Sequence, residues 1–173
     1  IIHHVQTQEQ CADEGIVEIS VDLEGHVDSI GLDFGSQWNN LDTIVPAPAD
    51  GQVYISYEGA HIRAGIYEAT LTGYFHQNIV FTTPISLSFL YPSTVLEQRW
   101  NDVICVLAKD FNGGYDFTAF QWYKDGKLLV GENRSYLSQA LEMGSEYSAL
   151  LTESNGTQLM TCPIIIEKHT DIT

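Results

Sequence analysis

A chain of 173 residues, 44% hydrophobic and 11% aromatic, can build one large domain or two small ones and is far too apolar for a disordered polypeptide. Its 23 acidic residues against 7 basic ones give a net charge of −16. A field of that sign repels phosphate backbones and anionic bilayers, which sets nucleic acid and membrane surfaces aside as partners.

The charge is uneven. Residues 1–90 hold twelve carboxylates and a single cation, Arg63, for a net −11; residues 91–173 hold eleven and six, for −5. Solubility accounts for this acidity. Calcium binding by Asp13, Glu14, Asp22 and Glu24 is the sharper reading, but the spaced carboxylates of a D-x-[DN]-x-[DN]-G loop are missing. No apolar stretch reaches the roughly 18 residues of a membrane helix. The chain begins at Ile1 without an initiator Met; a removed secretory leader and a shortened chain would both begin this way, and the first is the commoner.

In chain order, the first segment, residues 11–23, alternates Val17, Ile19, Val21 and Leu23 with Glu18, Ser20 and Asp22, a strand with one dry face. Glu24-Gly25 turns the chain, and Val27 to Phe34 alternates again. Residues 35–51, rich in Asn, Asp, Pro and Gly, read as a loop carrying Trp38. Strands follow at Val53–Tyr57, Ile66–Tyr74, Ile79–Phe81 and Ile85–Leu90. Ser93 to Arg99 suggests one helical turn capped by Ser93 and Thr94. Beyond it, Val103–Ala108 and Phe117–Tyr123 are strands, and Asp125-Gly126 closes a hairpin because both residues tolerate positive φ. Tyr136-Leu137, Tyr147–Leu151 and Leu159–Ile166 complete the set. Strands at such short intervals predict an all-β chain of two tandem β-sandwich domains, 1–89 and 90–173, with the boundary where Pro92 breaks pairing.

The second half resembles an immunoglobulin-like domain. Trp122, within Phe120-Gln121-Trp122-Tyr123-Lys124-Asp125-Gly126, stands where that fold buries a Trp on its third strand. Tyr147 stands where it ties the corner before its sixth strand, which puts Ala149 at the position of the second Cys in antibody domains; Cys105 falls at the position of the first. The resemblance therefore implies a core of Cys105, Trp122, Tyr147 and Ala149 without the usual inter-sheet disulfide. A Cys105–Cys162 bridge and two buried thiols both remain open on this reading. For all three cysteines, Cys11 included, the spacing forms no C-x-x-C pair and allows one disulfide with a spare thiol or three buried thiols.

The run Glu97-Gln98-Arg99-Trp100-Asn101-Asp102-Val103, with Asn112-Gly113-Gly114-Tyr115 downstream and Arg63-Ala64-Gly65-Ile66-Tyr67 upstream, resembles the tandem Ig-like, PKD-like modules of Bacteroidetes-type surface and secreted proteins. That resemblance covers roughly residues 60–166 well and 11–59 loosely. It implies export and a place at the cell surface or beyond, and no activity. Asp28-Ser29-Ile30 and Asp42-Thr43-Ile44 resemble the short acidic O-glycosylation motif of such exported proteins. Two Asn-x-Ser/Thr sequons, at Asn133 and Asn155, carry little weight in a bacterium.

Among candidate sites, Trp38 with Asn39 and Asn40 combines an aromatic face with amides, the pairing that a pyranose recognises; the competing reading folds Trp38 back onto its own sandwich. Trp100 is expected to pack between the domains. The six histidines show no ligand spacing, so neither metal nor cofactor is expected. No G-x-S-x-G, H-E-x-x-H or P-loop is present. The sequence thus predicts a non-catalytic, extracytoplasmic binding, adhesion or spacer module with an unidentified protein or glycan partner. A carbohydrate-binding accessory domain is the alternative, and a hydrolase with an unrecognised carboxylate pair is a distant one.

Overall fold

The computed structural model describes residues 2–7, 9–12, 16–23, 26–35, 41–49, 51–56 and 62–168. The chain divides into two compact units, Ile1–Phe89 and Leu90–Thr173, and each is a sandwich of two antiparallel sheets.

In the first unit, β1 (Ile2–Thr7), β3 (Ile16–Leu23) and β6 (Gln52–Ser56) form one sheet in the order β1-β3-β6. The other has the order β2-β8-β7-β4-β5, from β2 (Gln10–Cys11), β4 (Ser29–Asp33), β5 (Thr43–Pro46), β7 (Gly65–Phe75) and β8 (Asn78–Leu90). Period-two patterning decides what lies between them. Ile19 and Val53 on one sheet and Ile30, Leu32, Leu71, Leu87 and Phe89 on the other are buried, and the residues between them in sequence turn outward.

The second unit repeats this plan. β9 (Leu96–Arg99), β10 (Val103–Val106) and β13 (Tyr136–Ser138) form one sheet. The other contains β11 (Phe117–Lys124), β12 (Lys127–Leu128), β14 (Glu146–Glu153) and β15 (Gln158–Met160), with β16 (Ile164–Ile165) also paired to β14. If the two-residue β2 is left out, the first, second and fifth strands of each unit make one sheet, and the third, fourth, sixth and seventh make the other. That is the immunoglobulin-type Greek key. Trp122 is fully buried, and its indole N–H donates to the Arg134 carbonyl at 2.8 Å. Ala149 lies directly opposite it on β14. Buried Tyr147 accepts the Glu142 N–H on its hydroxyl at 3.1 Å. The first unit has a counterpart: buried Tyr67, near the start of β7, donates its hydroxyl to the Arg63 carbonyl at 2.5 Å.

Several expectations are corrected. The free cysteine Cys105 is half-buried and outside the core, and Ile104, one residue earlier, fills the core position of β10. Val103-Ile104-Cys105-Val106 is apolar on both faces, so the pattern could not say which face points inward. Cys162 is not a buried thiol: it and Cys11 are disulfide-bonded. Residues 2–7, ahead of the first strand read from the sequence, form β1, held by pairing to β3 with a register irregularity between Ile2 and His4. The 35–51 loop contains β5, an edge strand that ends at Pro46, where a missing N–H removes little from the ladder. Ile79–Phe81 and Ile85–Leu90 are one continuous strand, β8. Ser93 to Val95 is a 3-10 turn without a side-chain cap, and Trp100 is 61% exposed.

Candidate binding groove on the first sandwich

The outward face of the five-stranded sheet in the first unit is built in rows. Strand register places Ile44, Gly31, Thr72 and Thr82 side by side across β5, β4, β7 and β8, and Pro46, Ser29, Tyr74 and Ile79 in the next row. Gly31 contributes no side chain, so Tyr74 and Ile44 lean over its bare backbone; a Cβ there would come 3.1 Å from the Tyr74 ring and 3.4 Å from Ile44. The missing side chain opens a groove of about 720 Å³, walled by Ile44, Tyr74 and Ile79, floored by Thr70 and Thr72, and rimmed by Asp33 and Asp42. A second hollow of about 560 Å³ shares Ile44 and Tyr74 and runs on to Asp28, His76 and Gln77.

The rim carboxylates are held in place by backbone. Asp42 Oδ1 accepts the Phe34 N–H and Asp33 Oδ1 accepts the Gly35 N–H, each at 2.7 Å. Asp28 Oδ2 accepts the His76 N–H at 2.8 Å. Thr72 is nine-tenths buried, yet it lines the groove, and among the described residues nothing bonds its hydroxyl. The oxygen itself opens on the groove, because among the described residues no buried side-chain polar atom lacks a partner.

At the end of the groove, β7 turns into β8 through His76 (φ 50°) and Gln77 (φ 67°). Two-residue hairpins of this type need positive φ at both positions and ordinarily use Asn and Gly. Two bulkier residues hold the strained conformation here, a pattern found at recognition sites. Sequence reading passed over this face, although an isolated Gly31 inside a strand pattern signals close approach of another group.

The residues singled out in the sequence lie elsewhere. Trp38, Asn39 and Asn40 are outside the described residues, as are Asp13, Glu14 and Glu24. Among the described residues no cluster of three or more His, Cys, Asp or Glu could hold a metal ion, and no helix is long and apolar enough to cross a membrane. In the second unit, Trp100 (φ 61°) is exposed beside Gln98, whose amide ties Trp100 and Glu167 carbonyls. The Arg99 guanidinium, next to the Cys105 sulfur and paired with Glu97 at 3.3 Å, is held above its ordinary pKa.

No family model and no curated protein matches the chain. Among solved structures, a BSP domain of a biofilm-associated protein is similar at 12% identity, over 99% of this chain and 30% of that one, with a TM-score of 0.40. A two fibronectin type-III domain segment from chicken tenascin is similar at 9% identity, over 94% and 95% of the two chains, with a TM-score of 0.45.

Proposed function

We propose that this chain is a non-catalytic binding module working outside the cytoplasm, as an adhesion or interaction unit of a bacterial surface or secreted protein. The observation that carries the reading is the groove over Gly31, where the sheet presents a half-buried aromatic ring and the hydroxyl of Thr72, which has no partner among the described residues. Such a surface suits recognition. The nearby carboxylates are already bonded to backbone amides that shape the loops, which supports a positioning role for them over a proton-transferring one. The disulfide-bonded Cys11 and Cys162 support an oxidising compartment, since such bonds are rare in the cytosol. The resemblance of residues 60–166 to exported modules agrees with that address.

A thermal-shift screen against peptides and glycans of each charge class tests the reading. A ligand at about 100 times its dissociation constant stabilises the fold by about 2.7 kcal/mol. We expect one class to do so, Thr72→Val or Tyr74→Leu to abolish the shift, and mass spectrometry to recover the ligand unchanged. Conversion of the ligand to products would overturn the non-catalytic reading, and a shift that survives both variants would remove the groove from it.

A further inference from the structure

We infer that the groove takes a basic polypeptide, an arginine side chain of which lies along the Tyr74 ring and reaches the carboxylates at one end of the rim. This names the ligand class of the groove just described and rests on its reading as a binding site.

Three features of the groove converge on a cation. The Tyr74 ring, propped over Gly31, lines the groove wall; aromatic rings attract positive charge, and a planar guanidinium stacks on them better than an ammonium does. Asp33 and Asp42 lie together at one end of the groove, each with one oxygen occupied by a backbone N–H that fixes the carboxylate and leaves the other oxygen for an arginine N–H. Thr72 supplies a hydroxyl at the floor that opens on the groove and has no partner among the described residues, suited to a further guanidinium N–H or a backbone amide of the bound segment.

Charge chooses among possible occupants. Residues 1–90 carry −11 with Arg63 as their lone cation, and this field steers positive partners inward and turns anionic ones away. A second copy of the chain, itself at −16, is repelled. The groove is open and crosses four strands, which fits an extended segment better than a compact head group.

The test is isothermal titration of the intact chain with a nonaarginine peptide, a nonalysine peptide, a citrulline peptide of equal length and neutral oligosaccharides, at low and physiological salt. We expect nonaarginine to bind more tightly than nonalysine and citrulline not to bind. Asp33→Asn with Asp42→Asn keeps the backbone acceptors and should weaken arginine binding by about an order of magnitude. Asp110→Asn with Asp116→Asn, which removes as much charge from the second sandwich, should leave the affinity nearly unchanged. Tyr74→Leu should erase the preference for arginine over lysine. Equal losses in the two double variants would reduce the effect to bulk charge and overturn the proposal. Binding of a neutral oligosaccharide, lost in Thr72→Val, would overturn the cationic ligand and keep the groove. If nothing binds in a way that Thr72→Val or Tyr74→Leu alters, the groove reading falls with it.

Discussion

The Tyr74 ring rests above Gly31 on the neighbouring strand, with its Cε2 3.1 Å from where a Gly31 Cβ would stand. The groove thus depends on a missing methyl group. Gly31→Ala should displace the ring by a few tenths of an ångström and Gly31→Val should fill the groove. Gly31 has no positive φ that would strain a replacement, so the fold should change by less than about 1 kcal/mol in the alanine variant. Titration with the ligand and thermal melting, run side by side, separate the two effects: binding falls while the melting temperature holds.

Thr72 should behave in the opposite way to a typical buried threonine. Its hydroxyl lacks a partner among the described residues and opens on the groove, so Thr72→Val gives up no internal hydrogen bond. Chemical denaturation should place the variant at or slightly above the parent in stability, with ligand affinity reduced. A loss of more than about 1 kcal/mol would mean that the hydroxyl bonds within the fold.

Gly73, on the inner side of the same strand, is constrained far more tightly. A Cβ at Gly73 would fall 2.2 Å from Phe81 Cε1, so the half-buried Phe81 ring would have to leave its place. Gly73→Ala should destabilise the protein by about 1–3 kcal/mol. Phe81→Leu in the same chain should recover part of that loss, and a double-mutant cycle measures the coupling.

Lys124 and Glu142 form an exposed ion pair, in which the Glu142 carboxyl is held below the ordinary 4.5 of a glutamate by the hydrogen bond and charge of Lys124, and Lys124 is raised above the ordinary 10.5 of a lysine by the same bond. The Glu142 contribution is present above pH 4.5 and fades as pH falls through its lower folded pKa; the Lys124 contribution is present below pH 10.5 and fades as pH rises through its higher one. An NMR titration of the Glu142 carboxyl should show its midpoint moving up to the ordinary range in Lys124→Met.

Thiol chemistry gives a direct check on the cysteines. Alkylation of the native protein should modify Cys105 alone. Reduction should expose Cys11 and Cys162 as well and lower stability by about 2–4 kcal/mol. Cys105→Ser should leave the melting curve under oxidising conditions unchanged.

The parts of this fold that announced themselves in the sequence are those where local chemistry and burial agree. Asp125-Gly126 turns as its residue types require, with φ of 49° and 78°, and the alternation of β7 sends Tyr67, Ala69 and Leu71 inward. The strands β1 and β5 were hidden because their stability comes from a neighbour: β1 pairs with β3, and β5 pairs with β4 despite its closing proline. The displacement of Cys105 by Ile104 was hidden for a different reason, since four successive apolar residues fit either register equally well. The groove is a property of rows across four strands that are distant in sequence. Only its Gly31 left a local trace.

The His76–Gln77 hairpin tip holds two L-residues where left-handed geometry costs about 1–2 kcal/mol each, eased by the grip of Asp28 on the His76 amide. Exchanging them for Asn-Gly would relax that tension and shorten both side chains. Robustness and reach are therefore set against each other at a single two-residue position. An engineer could trade one for the other there, one residue at a time, without touching the sandwich beneath.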